Sequence, residues 1–166
     1  VITFGGSGAR GYPMTLLLER RLHFLDGSLD RPMDALFTRR QVLLHEIAHT
    51  WWGNVVTGIQ AGSTWVNEGL ANYASLKALG FLYGKPTMYA ALRRHLHSFL
   101  QSKWPSDLMG PGGMDQMIQR TAYTKGTLVF FSLEWMLGEK VFLEGLRLFF
   151  QRYRGGFATA KDLRRV

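Results

Sequence analysis

Two histidines four residues apart enclose a glutamate in the run His45-Glu46-Ile47-Ala48-His49. On a helix, residues four apart project from one face, a turn apart. Two imidazoles so placed can both reach one zinc ion at bonding distances of about 2 Å. Glu46 lies about 100° around the same helix from His45. That angle takes it out of the ligand set and leaves it within reach of a water held at the metal, where a general base must stand. The chemistry implied is hydrolysis: zinc lowers the pKa of water and polarises a carbonyl, and Glu46 moves the proton to the leaving amine.

A catalytic zinc needs a third protein ligand and one open position. Eighteen residues separate His49 from Glu68, which stands in Trp65-Val66-Asn67-Glu68-Gly69. A second helix packed antiparallel to the first can set Glu68 opposite both histidines. The resulting site of two histidines and a glutamate binds one Zn2+ ion and leaves its fourth position to water. Either element alone arises by chance, but together they point to one chemical object. Asn67, next to the third ligand, is a candidate for orienting the site from behind. There is no cysteine, so disulfides and thiolate zinc sites are excluded and any metal rests on His, Asp or Glu.

The elements that must position these groups follow from pattern. Val1–Phe4 and Met14–Arg20 read as strands, with the glycine-rich stretch Gly5–Gly11 between them as a loop. Leu25–Pro32 is a turn-rich connection. Met33 to about Asn54 reads as a long helix, with Val42, Leu43, Ile47, Trp51 and Trp52 on its apolar face. Val55–Ser63 is loop or short extended chain. A second helix is expected over Asn67 to Leu79, ending near Gly80, and a third over Lys85–Ser102. Lys103–Met114 is loop. Tyr123–Leu137 and Lys140–Arg152 are helical, Gly155-Gly156 breaks the pattern, and Thr159–Asp162 starts another helix. A small sheet before the zinc helix, followed by many helices, makes an α+β, predominantly helical fold.

Apolar residues form 46% of the 166 and charged residues 19%, a balance that builds one globular domain. Net charge is +8, but Lys and Arg are scattered and no nucleic-acid motif accompanies them, so a solvated or domain-facing surface is expected and not nucleic-acid binding. No apolar run reaches membrane-spanning length. The chain opens at Val1 inside a strand pattern and closes at Val166 inside a helix pattern, which points to a piece of a longer protein. Gly6–Gly11 matches G-x-G-x-x-G, yet strand-like residues follow it where a dinucleotide site needs a helix. His23, His95 and His97 read as surface or packing residues. Trp51 and Trp52 pack the zinc helix, and one of them can line a substrate pocket.

The run H-E-I-A-H-T-W-W-G-N, the eighteen-residue gap, W-V-N-E-G and the later Tyr123-Thr124-Lys125-Gly126 together resemble the aminopeptidase N-like gluzincins, the family that also holds leukotriene hydrolase. The resemblance implies a thermolysin-like catalytic domain over residues 1–166, normally flanked by N- and C-terminal domains, and a peptide substrate. It also implies that Tyr123 stabilises an oxyanion with its hydroxyl. The stretch matching the family's G-x-M-E-N strand is Gly8-Ala9-Arg10-Gly11-Tyr12. Gly8, Ala9, Arg10 and Gly11 are therefore substrate-binding candidates, able to align a peptide along a strand edge. This stretch carries no carboxylate to hold a free amino terminus, and Arg10 would repel one. An aminopeptidase, a peptidase with another end preference and an endopeptidase all stay open. So does a catalytically weak peptidase-like binding or structural module in a larger membrane or transport assembly.

Overall fold

Three short strands come first: β1 (Ile2–Phe4), β2 (Ala9–Tyr12) and β3 (Thr15–Glu19). The computed structural model describes residues 2–4, 9–12, 15–19, 33–58, 63–101 and 116–166. Gly8, His23, the Leu25–Pro32 connection and the Lys103–Met114 loop lie outside the described residues. β3 is central, parallel to β1 with Ile2 opposite Leu17, and antiparallel to β2 with Arg10 opposite Leu17. The glycine-rich stretch expected as loop is thus strand from Ala9 onward. Pairing with the apolar β3 outweighs the poor strand preference of Ala, Arg and Gly. After Gly11 the next described element is β3 and not a helix, the order opposite to that of a dinucleotide-binding turn.

α1 (Met33–Ala48) and α2 (Thr64–Tyr83) follow, with the short strand β4 (Val56–Gly58) between them. The two helices run antiparallel. The Arg40 guanidinium lies 4.7 Å from the centre of the Tyr83 ring, Leu44 packs against Leu76 and Leu79, and His45 meets Glu68. α1 stops at Ala48 and does not continue to Asn54. A tight turn closes there, with Trp52 N–H donating to Ala48 at 3.0 Å and Gly53 N–H to Val56 at 2.8 Å. Gly53 has φ of 113°, a backbone conformation that side chains with a Cβ rarely adopt.

α2 starts before Asn67 and runs through Gly80 to Tyr83. A glycine inside a helix costs only about 1 kcal/mol, and Gly80 seats Met88, whose Cβ lies 3.2 Å from where a Gly80 Cβ would stand; Leu76 and Leu79 in the preceding turn are fully buried. The chain turns at Gly84, φ 88°, into α3 (Lys85–Gln101), whose Met88 and Ala91 complete this second cluster. α4 (Gln116–Leu137) begins upstream of Tyr123, which therefore sits inside a helix and not at its start.

α5 (Glu139–Tyr153) buries Phe142, Leu146 and Phe149, spaced four and three apart on one stripe. They join Val66, Leu70, Tyr73 and Phe130 in the main core. The Gly155-Gly156 break is followed by β5 (Gly156–Ala158), which pairs parallel with β4, Val56 opposite Gly156. Such a pairing between segments 100 residues apart carries no local signal. α6 (Ala160–Leu163) is opened by Thr159 and Asp162 in a reciprocal capping box. No described helix is long and apolar enough to cross a membrane.

Candidate metal centre

The last turn of α1 presents His45 and His49 side by side. His49 falls just past the helix by its own ladder, but its N–H still donates to the carbonyl of His45 at 3.1 Å, so the one-turn spacing is preserved. Their Nε2 atoms are 2.9 Å apart and the rings meet edge to face. Across from them, α2 brings Glu68. Its Oε2 lies 3.2 Å from Nε2 of His45 and 3.3 Å from Nε2 of His49. This is the group of three among the described residues whose donor atoms can hold one metal ion.

The triangle fits a tetrahedral ion. Ligand distances near 2.0–2.1 Å require donor–donor edges of about 3.3 Å, within a few tenths of those observed. The donor chemistry fits as well. Glu68 Oε2 is buried and, beyond the two imidazole nitrogens at 3.2 and 3.3 Å, has no hydrogen bond of good geometry, a costly state for a carboxylate oxygen that a cation would relieve. His49 Nδ1 is 2.7 Å from the carbonyl oxygen of Trp52. A carbonyl can only accept, so Nδ1 carries the hydrogen and neutral His49 turns a lone pair on Nε2 inward.

Electrostatics reflect the same crowding. Burial would raise the Glu68 carboxyl, yet the two imidazoles hold it down at about 2, from an ordinary 4.5. Burial would lower the His49 pKa, but Glu68, the Trp52 carbonyl and Glu46 together raise it above the ordinary 6.5. Glu46 is buried, 8% exposed, and its charge is felt by both His49 and Tyr123. The Tyr123 ring centre is 5.6 Å from that of His45. Its hydroxyl is pushed well above the ordinary range by burial, by the Glu68 charge and hydrogen bond, and by Glu46. It therefore stays protonated and able to donate. His45, His49, Glu46, Glu68 and Tyr123 are thus brought to one place.

Asn67 is placed beside Glu68 with its amide over Gly58 of β4. The Trp52 carbonyl, which side-chain reasoning could not reveal, faces Nδ1 of His49. Trp52 itself stacks on Phe149, 6.3 Å between ring centres, and meets Phe150 edge on, so it packs α1's exit onto α5; Trp51 is half exposed. Ala9, Arg10 and Gly11 lie in β2, which neighbours only β3 among the described strands and lies beside α1. His95 is drawn in more than expected: its Nε2 is 2.8 Å from Nε2 of Gln41, one turn before His45. His97 is exposed.

The two helices can approach because glycine faces glycine. A Cβ on Gly69 would stand 2.9 Å from the backbone carbon of Gly126, and one on Gly126 would stand 3.0 Å from the carbonyl oxygen of Trp65. Gly69 follows Glu68 and Gly126 is one turn from Tyr123, so this contact sets how near carboxylate and phenol come.

Comparison with known proteins agrees with this geometry. The peptidase family M1 domain matches residues 14–166. The thyrotropin-releasing hormone-degrading ectoenzyme of Rattus norvegicus is 27% identical over 161 residues, covering 90% of this chain and 15% of that protein. A probable aminopeptidase 2 of Sulfurisphaera tokodaii is 26% identical over 129 residues, 73% of this chain and 16% of that protein. Among solved structures, the M1 zinc metallopeptidase from Deinococcus radiodurans superposes with a TM-score of 0.65 at 27% identity, over 74% of this chain and 28% of the other. Leukotriene A4 hydrolase from Saccharomyces cerevisiae shares the fold, with a TM-score of 0.79 at 22% identity over 96% of this chain and 26% of that one. The chain spans 15–16% of these curated relatives.

Proposed function

The chain belongs to the peptidase M1 family, and from that premise we propose that residues 1–166 form the thermolysin-like, zinc-bearing catalytic part of an aminopeptidase-like metallopeptidase. His45, His49 and Glu68 hold one zinc ion. The observation that carries the reading is the convergence of two imidazole nitrogens and one buried carboxylate oxygen within 3.3 Å of each other. A zinc ion held there would supply Lewis acidity toward a water and a substrate carbonyl. Glu46 accepts the water's proton and returns it to the departing amine. Tyr123, kept protonated by burial and by Glu68 and Glu46, donates its hydroxyl hydrogen to the oxygen that gains charge. The β2 backbone beside α1, at Ala9, Arg10 and Gly11, aligns the peptide by strand addition. Asn67 steadies Glu68 from its seat on Gly58. The remaining length of the relatives supports substrate walls contributed by other domains of a longer protein.

The test is Glu46→Gln in the full protein. Zinc content should be unchanged while turnover of amino-acid amides and blocked peptides falls by about 10²–10⁴-fold. Full turnover by the variant removes Glu46 as base. The lack of a carboxylate in Gly8–Tyr12 favours a second reading, a peptidase-like binding module within a larger membrane or transport assembly. Zinc bound without turnover on any substrate of that panel selects it.

A further inference from the structure

The backbone of Tyr123 is tied across the helix pair at its carbonyl. Asn72 of α2 donates from Nδ2 to that oxygen at 3.1 Å, and Thr127 donates from Oγ1 to the same oxygen at 2.5 Å. Both side chains are buried, Asn72 to 5% exposure and Thr127 completely. A residue four places after Glu68 shares its face of α2, one turn along. The tether therefore runs from the turn that carries the carboxylate straight to the residue that carries the phenol, between segments 51 residues apart in the chain.

Satisfying the carbonyl does not require Asn72, because Thr127 already donates to it from within α4. What Asn72 adds is a directional link between helices, and a short amide reaches only because Gly69 and Gly126 bring the backbones together. Packing alone leaves two helices free to slide by fractions of an ångström, whereas a buried amide-to-carbonyl bond weakens steeply with misalignment. We propose that Asn72 is a positioning residue, which fixes the Tyr123 hydroxyl relative to Glu68 by holding the Tyr123 carbonyl. This rests on the peptidase reading above, in which that hydroxyl serves the oxyanion.

The experiment is a double-mutant cycle in the full zinc-loaded protein, assayed with the best-turned-over member of a panel of amino-acid 4-nitroanilides and blocked peptides. Asn72→Leu keeps the volume and removes the donor. It should lower kcat about tenfold, as expected for a sub-ångström misplacement, with KM within twofold and zinc content unchanged. In a Tyr123→Phe background the same change should alter kcat less than twofold, because the hydroxyl it positions is gone. Fully multiplicative losses, or an unchanged kcat in Asn72→Leu while Tyr123→Phe is impaired, overturn the proposal and leave the peptidase reading standing. A wild-type kcat in Tyr123→Phe, or no turnover by the wild type, instead removes the tyrosine's role and the proposal with it. If Asn72→Leu does not fold, Asn72→Ala, which removes the same inter-helix donor, is judged by the same cycle.

Discussion

Replacing Gly69 by alanine probes the contact that sets the spacing between Glu68 and Tyr123. The new methyl would stand 2.9 Å from the backbone carbon of Gly126 and 2.9 Å from Cε2 of the fully buried Phe130. Carbon–carbon contacts settle at about 3.5–4.0 Å, so the helices must part by roughly 0.6–1 Å. One obstacle is backbone and the other an enclosed ring, so neither can swing aside. Over-packing of this kind costs about 1–3 kcal/mol, and the helix-propensity gain of alanine over glycine returns about 1 kcal/mol. The net loss of up to about 2 kcal/mol should lower Tm by up to about 8 °C. Gly145 is the internal control, since it lies within α5 and a Cβ there meets nothing within 4 Å. Gly145→Ala should stabilise by about 0.5–1 kcal/mol. Thermal melts of both variants decide the stability argument, and kcat of Gly69→Ala, expected to fall about tenfold or more, decides its link to the site. If both alanines raise Tm alike and kcat is untouched, the glycine–glycine contact is not what spaces the ligand from the phenol.

Gly53→Ala should weaken zinc binding, because its Cβ would stand 3.1 Å from His49 Nδ1 in a backbone with φ of 113°; a chelator competition showing wild-type affinity refutes this. Zinc affinity should fall with pH from above 6.5 downward, because the His49 pKa is raised and the proton competes for the imidazole; titration across pH 5–8 checks it. In the metal-free protein, the depressed Glu68 pKa adds stability present above 4.5 and lost as pH falls towards about 2. The raised His49 pKa adds stability present below 6.5 and lost as pH rises through its folded value. Urea melts of metal-free protein should therefore show the pair's contribution level between pH 4.5 and 6.5 and falling on both sides, a shape that Glu68→Gln removes.

Helix content and ligand types are local properties, and most of the helices were legible for that reason. The limits that shifted were those decided by contacts distant in sequence. α2 runs through Gly80, where Met88 packs against the glycine. β5 exists only because β4 is there to pair with it. Ala9–Tyr12 is strand because β3 lies alongside.

His45, Glu46 and His49 share one turn of helix, so spacing alone determined that two imidazoles face one point with a carboxylate beside them. Glu68 was legible as a type at a distance, but its arrival within 3.3 Å of both rings depends on antiparallel packing of α1 on α2. The turn after α1 set the Trp52 carbonyl against His49 Nδ1, three residues back, whereas only tertiary structure decided that burial, with Glu68 and Glu46, raises the pKa of the Tyr123 hydroxyl and that Asn72 grips the Tyr123 backbone. The physical reason is that backbone carbonyls carry no residue code, and hydrogen bonds between segments fifty residues apart depend on where helices cross, which is set by the packing of the whole core.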